Sequence, residues 1–261
     1  MPELVEKKEV TVIRGRERKV IADQVVVEAP LTIYLGGQKL VTLLCTPEKR
    51  KSLALGYLRS CGLIGSLDEV AAVRLLEKGE AVEIELKHKS VTLEQPCAEG
   101  TVTPGGTRGA LLDLRQAGGT APVPPGKLSV KAEVIGSLMA SLQERAAIFK
   151  ITGGMHSAAL ADNRDLLLFF EDIGRHNAID KIIGECLLQG VPLEEKMLVC
   201  SSRLGSEILL KAARVQLPLI ASRAAPTSLS IELAHALNIT LVGFVRDGRL
   251  NVYTHPERVE G

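Results

Sequence analysis

Leu166-Leu-Leu-Phe-Phe-Glu-Asp-Ile-Gly-Arg-His-Asn-Ala-Ile-Asp-Lys181 joins an unbroken apolar run to a cluster of acids, Arg, His and Asn. Leu166–Phe170 is the length and composition of a fully buried strand. Ala178, Ile179, Ile182, Ile183, Cys186 and Leu187 then recur at helical spacing. The polar residues therefore fall where a strand ends and a helix begins. In open α/β sheets ligands bind at that edge, and a helix amino terminus offers unpaired N–H groups to an anion. Read alone, Glu171, Asp172 and Arg175 are equally well a solvated turn or a local ion pair.

Working outward, the pattern predicts a helix from Ser129 to about Ala147 and strands at 148–152, 155–161 and 166–170, with a turn at Asp162-Asn163. A helix at about 175–188, a strand at 197–200, a helix at 206–216, a strand at 218–222 and a helix at 227–237 follow. Strands at 240–246 and 250–254 close the chain around Asp247-Gly248. Strands alternating with helices of this length predict an α/β domain over 128–261 with a mixed, mainly parallel sheet and helices on both faces. Ahead of it, 1–87 reads as a small β-rich lobe. Residues 1–9 form a charged, frayed terminus, strands fall at 10–14, 24–29, 31–35, 39–45, 70–76 and 81–87, and one helix is capped at Thr46-Pro47 and stopped by Gly62. From 88 to 127, glycines and prolines break every periodicity, as in an interlobe linker or a functional loop.

If the strands are parallel, their carboxyl ends share an edge. The junctions there supply Asp172, Arg175, His176 and Asn177, then Ser202 and Arg203, then Thr227 and Ser228, then Phe244-Val245-Arg246-Asp247-Gly248-Arg249. Arginines with hydroxyls and helix amino termini suit a phosphate or pyrophosphate, since the guanidinium is a planar fork of donors. A polyanionic, nucleotide-like ligand follows.

With 261 residues, 46% of them hydrophobic, the chain can bury a sizeable core. A net charge of +1 gives no general basic field for nucleic acid, and the lack of Trp argues against a base-stacking platform for single strands. No apolar run approaches membrane-spanning length, and Met1–Arg18 lacks the apolar stretch of a secretory leader. The cysteines at 45, 61, 97, 186 and 200 form no CxxC pair and no disulfide framework, as expected in a reducing cytoplasm. Thr152-Gly153-Gly154 is not a phosphate-binding Walker loop, because no Gly-Lys-Ser/Thr follows. His156-Ser-Ala158 and Cys200-Ser-Ser-Arg203 occupy the places of zinc-deaminase motifs, but Ala158 replaces the catalytic Glu and Arg203 the second thiolate. No metal site is predicted.

With these residues in view, the chain resembles the FdhD/NarQ family of formate dehydrogenase accessory sulfurtransferases. The resemblance rests on Glu28-Ala-Pro-Leu-Thr-Ile33, Thr46-Pro47, Leu53-Ala-Leu-Gly-Tyr-Leu58, Thr152-Gly-Gly-Met-His156, the run Glu171–Lys181, Ser202-Arg203, Ala225-Pro-Thr-Ser228, Leu241-Val-Gly-Phe244 and Asn251-Val-Tyr-Thr254. It implies a cytosolic homodimer with a cytidine-deaminase-like larger lobe. It also implies transfer of sulfur from a cysteine desulfurase, as a persulfide, to the bis-molybdopterin guanine dinucleotide cofactor of formate dehydrogenase. Cofactor contacts are then expected at Phe244–Arg249, and the guanine dinucleotide is the anionic ligand of the crevice, with Gly153, Gly154 and His156 beside it.

The resemblance breaks in the loop. Family members carry a cysteine there, since a persulfide needs a nucleophilic thiolate. Here Thr103-Pro-Gly-Gly106 aligns with that motif and puts Gly106 in the cysteine's place. The nearest thiol, Cys97 in Gln95-Pro-Cys-Ala-Glu-Gly100, is the candidate persulfide carrier, with Glu99 beside it working against the thiolate. A carrier or chaperone that binds the cofactor without transferring sulfur is the alternative.

Overall fold

The computed structural model describes residues 4–76, 79–88, 101–102 and 120–261. Cys97, Gly106 and most of 88–127 lie outside the described residues.

The first feature is longer than the sequence predicts. β1 (Val5–Arg14) and β2 (Glu17–Val26) pair along ten residues each, from Val5 opposite Val26 to Arg14 opposite Glu17. The strand predicted at 10–14 is the second half of β1; residues 5–9, expected to be frayed, extend it, and the hairpin turns at Gly15 with φ +61. Charged residues stand on both of its faces, which suits a ribbon solvated on each.

The small lobe follows the prediction more closely. β3 (Ala29–Leu35) and β4 (Gln38–Cys45) form a hairpin over Gly36-Gly37, and α1 (Arg50–Cys61) ends at Gly62, which adopts φ 77. β5 (Val70–Leu76), β6 (Ala81–Leu86) and β7 (Thr101–Val102) complete a sheet of order β5-β6-β3-β4-β7. Leu31, Ile33, Val41 and Leu43 pack against Leu53, Leu55 and Leu58 of α1. The helix starts three residues later than Thr46-Pro47 predicts, because Thr46 is held elsewhere, as described below.

In the larger lobe, β8 (Val130–Lys131) pairs with β15 (Val259–Glu260), and α2 spans Ala132–Arg145. Ser129 does not cap α2; its hydroxyl donates to Glu260 Oε1 at 2.6 Å. Residues 148–152, expected as a strand from their β-branched content, form α3 (Ala147–Thr152). Two tertiary hydrogen bonds override that propensity, with the Glu171 carboxylate accepting from the amides of Ile148 at 3.0 Å and Phe149 at 2.9 Å.

β9 (His156–Ala161), β10 (Leu166–Asp172), α4 (Arg175–Gln189), β11 (Met197–Cys200), α5 (Ser206–Arg214), β12 (Leu219–Ser222), α6 (Ser228–Ala236), β13 (Thr240–Arg246) and β14 (Arg249–Thr254) follow in the predicted order. The six-stranded sheet has the order β10-β9-β11-β12-β13-β14. It is mixed, as expected, but not mainly parallel. β11, β12 and β13 are parallel, whereas β9 runs against β10 and β11, and β14 against β13. The reversals come from tight turns. Asp162 Oδ1 accepts from the amides of Arg164 and Asp165 at 2.8 and 2.9 Å, and so short a connection joins only antiparallel strands. Helices cover both faces, with α2 on one and α4, α5 and α6 on the other.

The lobes meet where α1 crosses α4. A Cβ on Gly56 would fall 1.8 Å from Asp180 O, and one on Gly184 would fall 1.8 Å from Ser52 O. Backbone meets backbone there, and no larger residue fits without parting the helices.

Candidate functional site

The antiparallel strands do not scatter the predicted junctions. β10, β11, β12 and β13 point the same way, and β9 begins at their carboxyl edge, with His156 opposite Asp172 and Cys200 opposite both Ala158 and Ser222. Gly153–His156, Glu171–Asn177, Ser201–Arg203, Ser222–Ser228 and Phe244–Arg249 therefore line one rim.

Within the rim, the acids of the decisive stretch turn inward. Asp172 is 0% exposed and Lys181 1%. Lys181 Nζ lies 2.7 Å from Asp172 Oδ2 and donates to Thr46 Oγ1 at 2.6 Å. Thr46 donates to the same carboxylate through its amide at 3.1 Å and its hydroxyl at 2.9 Å. The Gly174 amide and Asn177 Nδ2 each donate to Asp172 Oδ1 at 2.9 Å, and Asn177 also reaches Leu44 O at 2.8 Å. These donors satisfy the hydrogen-bonding capacity of a carboxylate that is fully out of water. Asp172 and Asn177 thus spend their polar groups tying the β4–α1 corner to the start of α4. The sequence places both at the rim but carries no signal that they face inward. Thr46 was missed because Thr-Pro also reads as a helix cap.

Two more acids brace the helix crossing. Asp180 accepts from Ser60 Oγ at 2.6 Å and from Lys211 Nζ at 2.7 and 2.8 Å, and Glu185 accepts from Ser52 Oγ at 2.6 Å.

The donors of the rim face outward. α4 and α5 begin at Gly174 and Gly205, neither of which supplies a side-chain cap. Their first amides leave partial positive charge at the edge. His176 Nε2 lies 2.9 Å from Glu207 Oε2, across these two helix ends, without the alignment of a directed hydrogen bond. Burial works against ionisation of Glu207, but the contacts with His176 and Arg175 outweigh it and hold the carboxyl below its ordinary range. Burial, and then the charge of Arg175, lower the pKa of His156 and favour its neutral imidazole. Arg203 is exposed and Ser202 buried, its hydroxyl 3.9 Å from Cys200 Sγ. Thr227 caps α6 by accepting from the Ser230 amide at 3.3 Å, and Ser228 is exposed next to it.

At the far end of the rim the backbone is strained. Phe244 adopts φ 54, followed by Asp247 at φ 55 and Gly248 at φ 71. A bulky residue in the left-handed region is rare and persists only where its surroundings fix it. Here a bulge between Gly243 and Arg246, together with the Phe244 amide donating to Ala224 O at 3.1 Å, does so. The guanidinium groups of Arg246 and Arg249 sit 5.6 and 5.8 Å from the centre of the Phe244 ring. An aromatic face between two forked cations suits a nucleotide base with its phosphates nearby. Val245, by contrast, is buried in the core. The turn and its arginines were legible in sequence; the φ of Phe244 was not.

The family model for FdhD/NarQ matches residues 26–260. The chain belongs to the FdhD/NarQ family. It is 40% identical over 239 residues to the sulfur carrier protein FdhD of Bacillus subtilis, covering 92% of this chain and 91% of the relative. The sulfur carrier protein FdhD of Staphylococcus haemolyticus is 34% identical over 252 residues, 96% of each chain. A crystal structure from Desulfotalea psychrophila, assigned as a formate dehydrogenase accessory protein, superposes with a TM-score of 0.82 and 25% identity, covering 99% of this chain and all of that one.

Four of the five cysteines lie among the described residues. Cys45 and Cys186 are buried, and burial pushes each thiol up to about 12, with Asp172 adding to the effect on Cys45 and Glu185 to that on Cys186. Cys200 is also raised by burial. These three are poor nucleophiles at neutral pH. Cys61 is half-buried at the end of α1, next to Ser60 in the helix crossing.

Proposed function

We propose that this chain is a sulfur carrier for formate dehydrogenase maturation, taking sulfur from a cysteine desulfurase and delivering it to bis-molybdopterin guanine dinucleotide held at the rim. The observation that carries this reading is the convergence of two uncapped helix ends, Arg175, Arg203, Arg246 and Arg249 on one sheet edge. The donor set fits a guanine nucleotide. Phe244 offers a ring for the base, and the helix ends and arginines match phosphate charge. Gly153, Gly154, His156, His176, Thr227 and Ser228 border the same rim. When bound, the cofactor supplies the molybdenum centre that receives the sulfur.

Cys97 is the proposed carrier because it is the thiol nearest in sequence to the place of the family cysteine, while burial suppresses the thiolates of Cys45, Cys186 and Cys200 and Cys61 stands at the end of α1 in the helix crossing. Its thiolate attacks the outer sulfur of the desulfurase persulfide. The donor's S–S bond breaks, the donor cysteine leaves as thiolate, and Cys97 keeps the transferred sulfur as its own persulfide. The reading also includes a cytoplasmic homodimer and a cytidine-deaminase-like larger lobe. A reversed β9 between β10 and the parallel β11-β12-β13 supports the latter.

Gly106 in the place of the family cysteine favours a second reading, a cofactor carrier without sulfur transfer. Co-expression with a formate dehydrogenase, in a host deleted for its own family member, separates the two. The first reading expects activity to be restored by the wild type and lost with Cys97→Ala. Full restoration by Cys97→Ala would leave the carrier reading, and no restoration by the wild type would remove both.

A further inference from the structure

Glu171 and Asp172 end β10 side by side, and successive side chains of a strand project to opposite faces. Asp172 turns toward Thr46 and Lys181 and joins the lobes. Glu171 takes no part in that frame. Its side chain is buried, and each of its oxygens accepts one amide of α3, Oε2 from Ile148 at 3.0 Å and Oε1 from Phe149 at 2.9 Å. The first amides of a helix lack intrahelical acceptors, and Ala146, which precedes α3, has no side chain to cap them. One carboxylate from another strand meets two of them at once.

From Glu171 the bonds continue to the rim. At six residues α3 is too short to persist without such support. At its far end the Thr152 hydroxyl donates to Ile148 O at 2.8 Å and accepts from the Gly154 amide at 3.3 Å, and the Gly153 amide donates to Phe149 O at 2.7 Å. Ile148 and Phe149, held by Glu171 through their amides, therefore hold the Gly153-Gly154 turn through their carbonyls. Gly153 takes φ +68, and both glycines are exposed just ahead of β9. Val26 closes the turn from outside, since a Cβ on Gly154 would come 3.0 Å from Val26 Cγ1. His156 is fixed separately, by its pairing with Asp172. What depends on Glu171 is the turn.

We infer that Glu171 is a positioning residue for the ligand of the rim: acting through α3, it sets the Gly153-Gly154 backbone against the carboxyl edge of the sheet, so that this wall of the crevice is in place before the ligand arrives. The inference rests on the nucleotide-binding reading of the rim and gives a task to an acid which that reading leaves unused. A wall already ordered spares binding the entropy of ordering it. The role is geometric. An outward carboxylate at this edge would repel a phosphate, whereas both oxygens of Glu171 are turned to α3. Its substitutions separate geometry from charge. Glu171→Gln keeps one acceptor oxygen at the same reach and has no carboxylate; Glu171→Asp keeps the carboxylate and sets it one methylene short of α3.

The test combines GDP binding by calorimetry with the amide signals of Gly153 and Gly154 by NMR, on the full chain as wild type, Glu171→Ala, Glu171→Asp and Glu171→Gln. Glu171→Ala and Glu171→Asp are expected to weaken GDP binding about tenfold, the scale of a displaced positioning group, and to move both glycine signals before any ligand is added. Glu171→Gln should recover part of each effect. Wild-type affinity in Glu171→Ala, or glycine signals that stay in place, overturns the positioning role and leaves nucleotide binding at the rim. Full affinity in Glu171→Asp with none recovered in Glu171→Gln assigns the effect to charge and overturns it too. A wild type that does not bind GDP overturns the inference together with the reading it rests on. Thr152→Val breaks the same chain of bonds with a side chain of like size and no change of charge, so it decides the matter if Glu171→Ala does not fold. Weaker GDP binding with shifted glycine signals is expected there, and unchanged values overturn the inference.

Discussion

Glu171–Lys181 and Phe244–Arg249 sit on the same rim, and both read as charged turns, yet they do opposite things. In the first, Asp172, Asn177 and Lys181 close on one another and on Thr46, out of reach of solvent. In the second, Arg246, Asp247, Gly248 and Arg249 are exposed, over a Phe held in a strained conformation. A dense polar motif thus builds the frame, and a sparser one offers the contacts. The difference follows from hydrogen-bond supply. Asp172 finds donors from two lobes, which is the only way a carboxylate is buried at tolerable cost, whereas the arginines past β13 find no acceptor from the opposing lobe among the described residues and stay in water.

The strongest way to break this comparison is to unpair the frame. Asp172→Ala leaves Lys181 buried without its counter-ion, and a loss of about 3–5 kcal/mol in urea unfolding is expected. A loss below 1 kcal/mol, on the order of an exposed pair, would mean the ion pair is not the joint between the lobes. Gly184→Ala attacks the same joint sterically, and a cost of about 3 kcal/mol is expected, at the top of the overpacking range. An unchanged melting curve would contradict the backbone contact of α1 with α4.

The rim should respond the other way. Arg246→Ala combined with Arg249→Ala is expected to change stability by less than about 0.5 kcal/mol. The same protein should bind GDP at least tenfold more weakly by calorimetry, as expected for loss of charge-assisted hydrogen bonds. Wild-type affinity in that variant would move the ligand away from this turn.

The smallest effect concerns Glu207, whose folded pKa lies below its ordinary value of 4.5. Its ionised form stabilises the folded state, so the contribution is complete above the unfolded pKa and is lost as pH falls through the lower folded value. The stability difference between wild type and Glu207→Gln should therefore stay constant from neutral pH to about 4.5 and shrink below it. A difference that persists in stronger acid would assign the effect to packing.

Much of this was legible in the sequence, for physical reasons. The 197–200 and 240–246 strands emerge as predicted, since short apolar runs between turn residues have one buried solution in an α/β sheet. The rim was legible because strand ends and helix starts are marked by Gly, Ser and Arg. What stayed hidden depended on distant partners. α3 is a helix because Glu171, more than twenty residues on, caps it. Thr46 leaves the helix for a carboxylate 126 residues away. Val10–Arg14 was legible as a strand, but the charged runs at 6–9 and 17–19 hid the full length of the β1–β2 hairpin, which shows only when both strands are paired.

The most direct measurement of the central claim is the intact mass of the protein after incubation with a cysteine desulfurase and sulfur-labelled cysteine, with Cys97→Ala in parallel. A reducible one-sulfur adduct on the wild type, lost in the variant, is the result this account predicts. An adduct that survives Cys97→Ala, or none on either protein while GDP still binds, would contradict it.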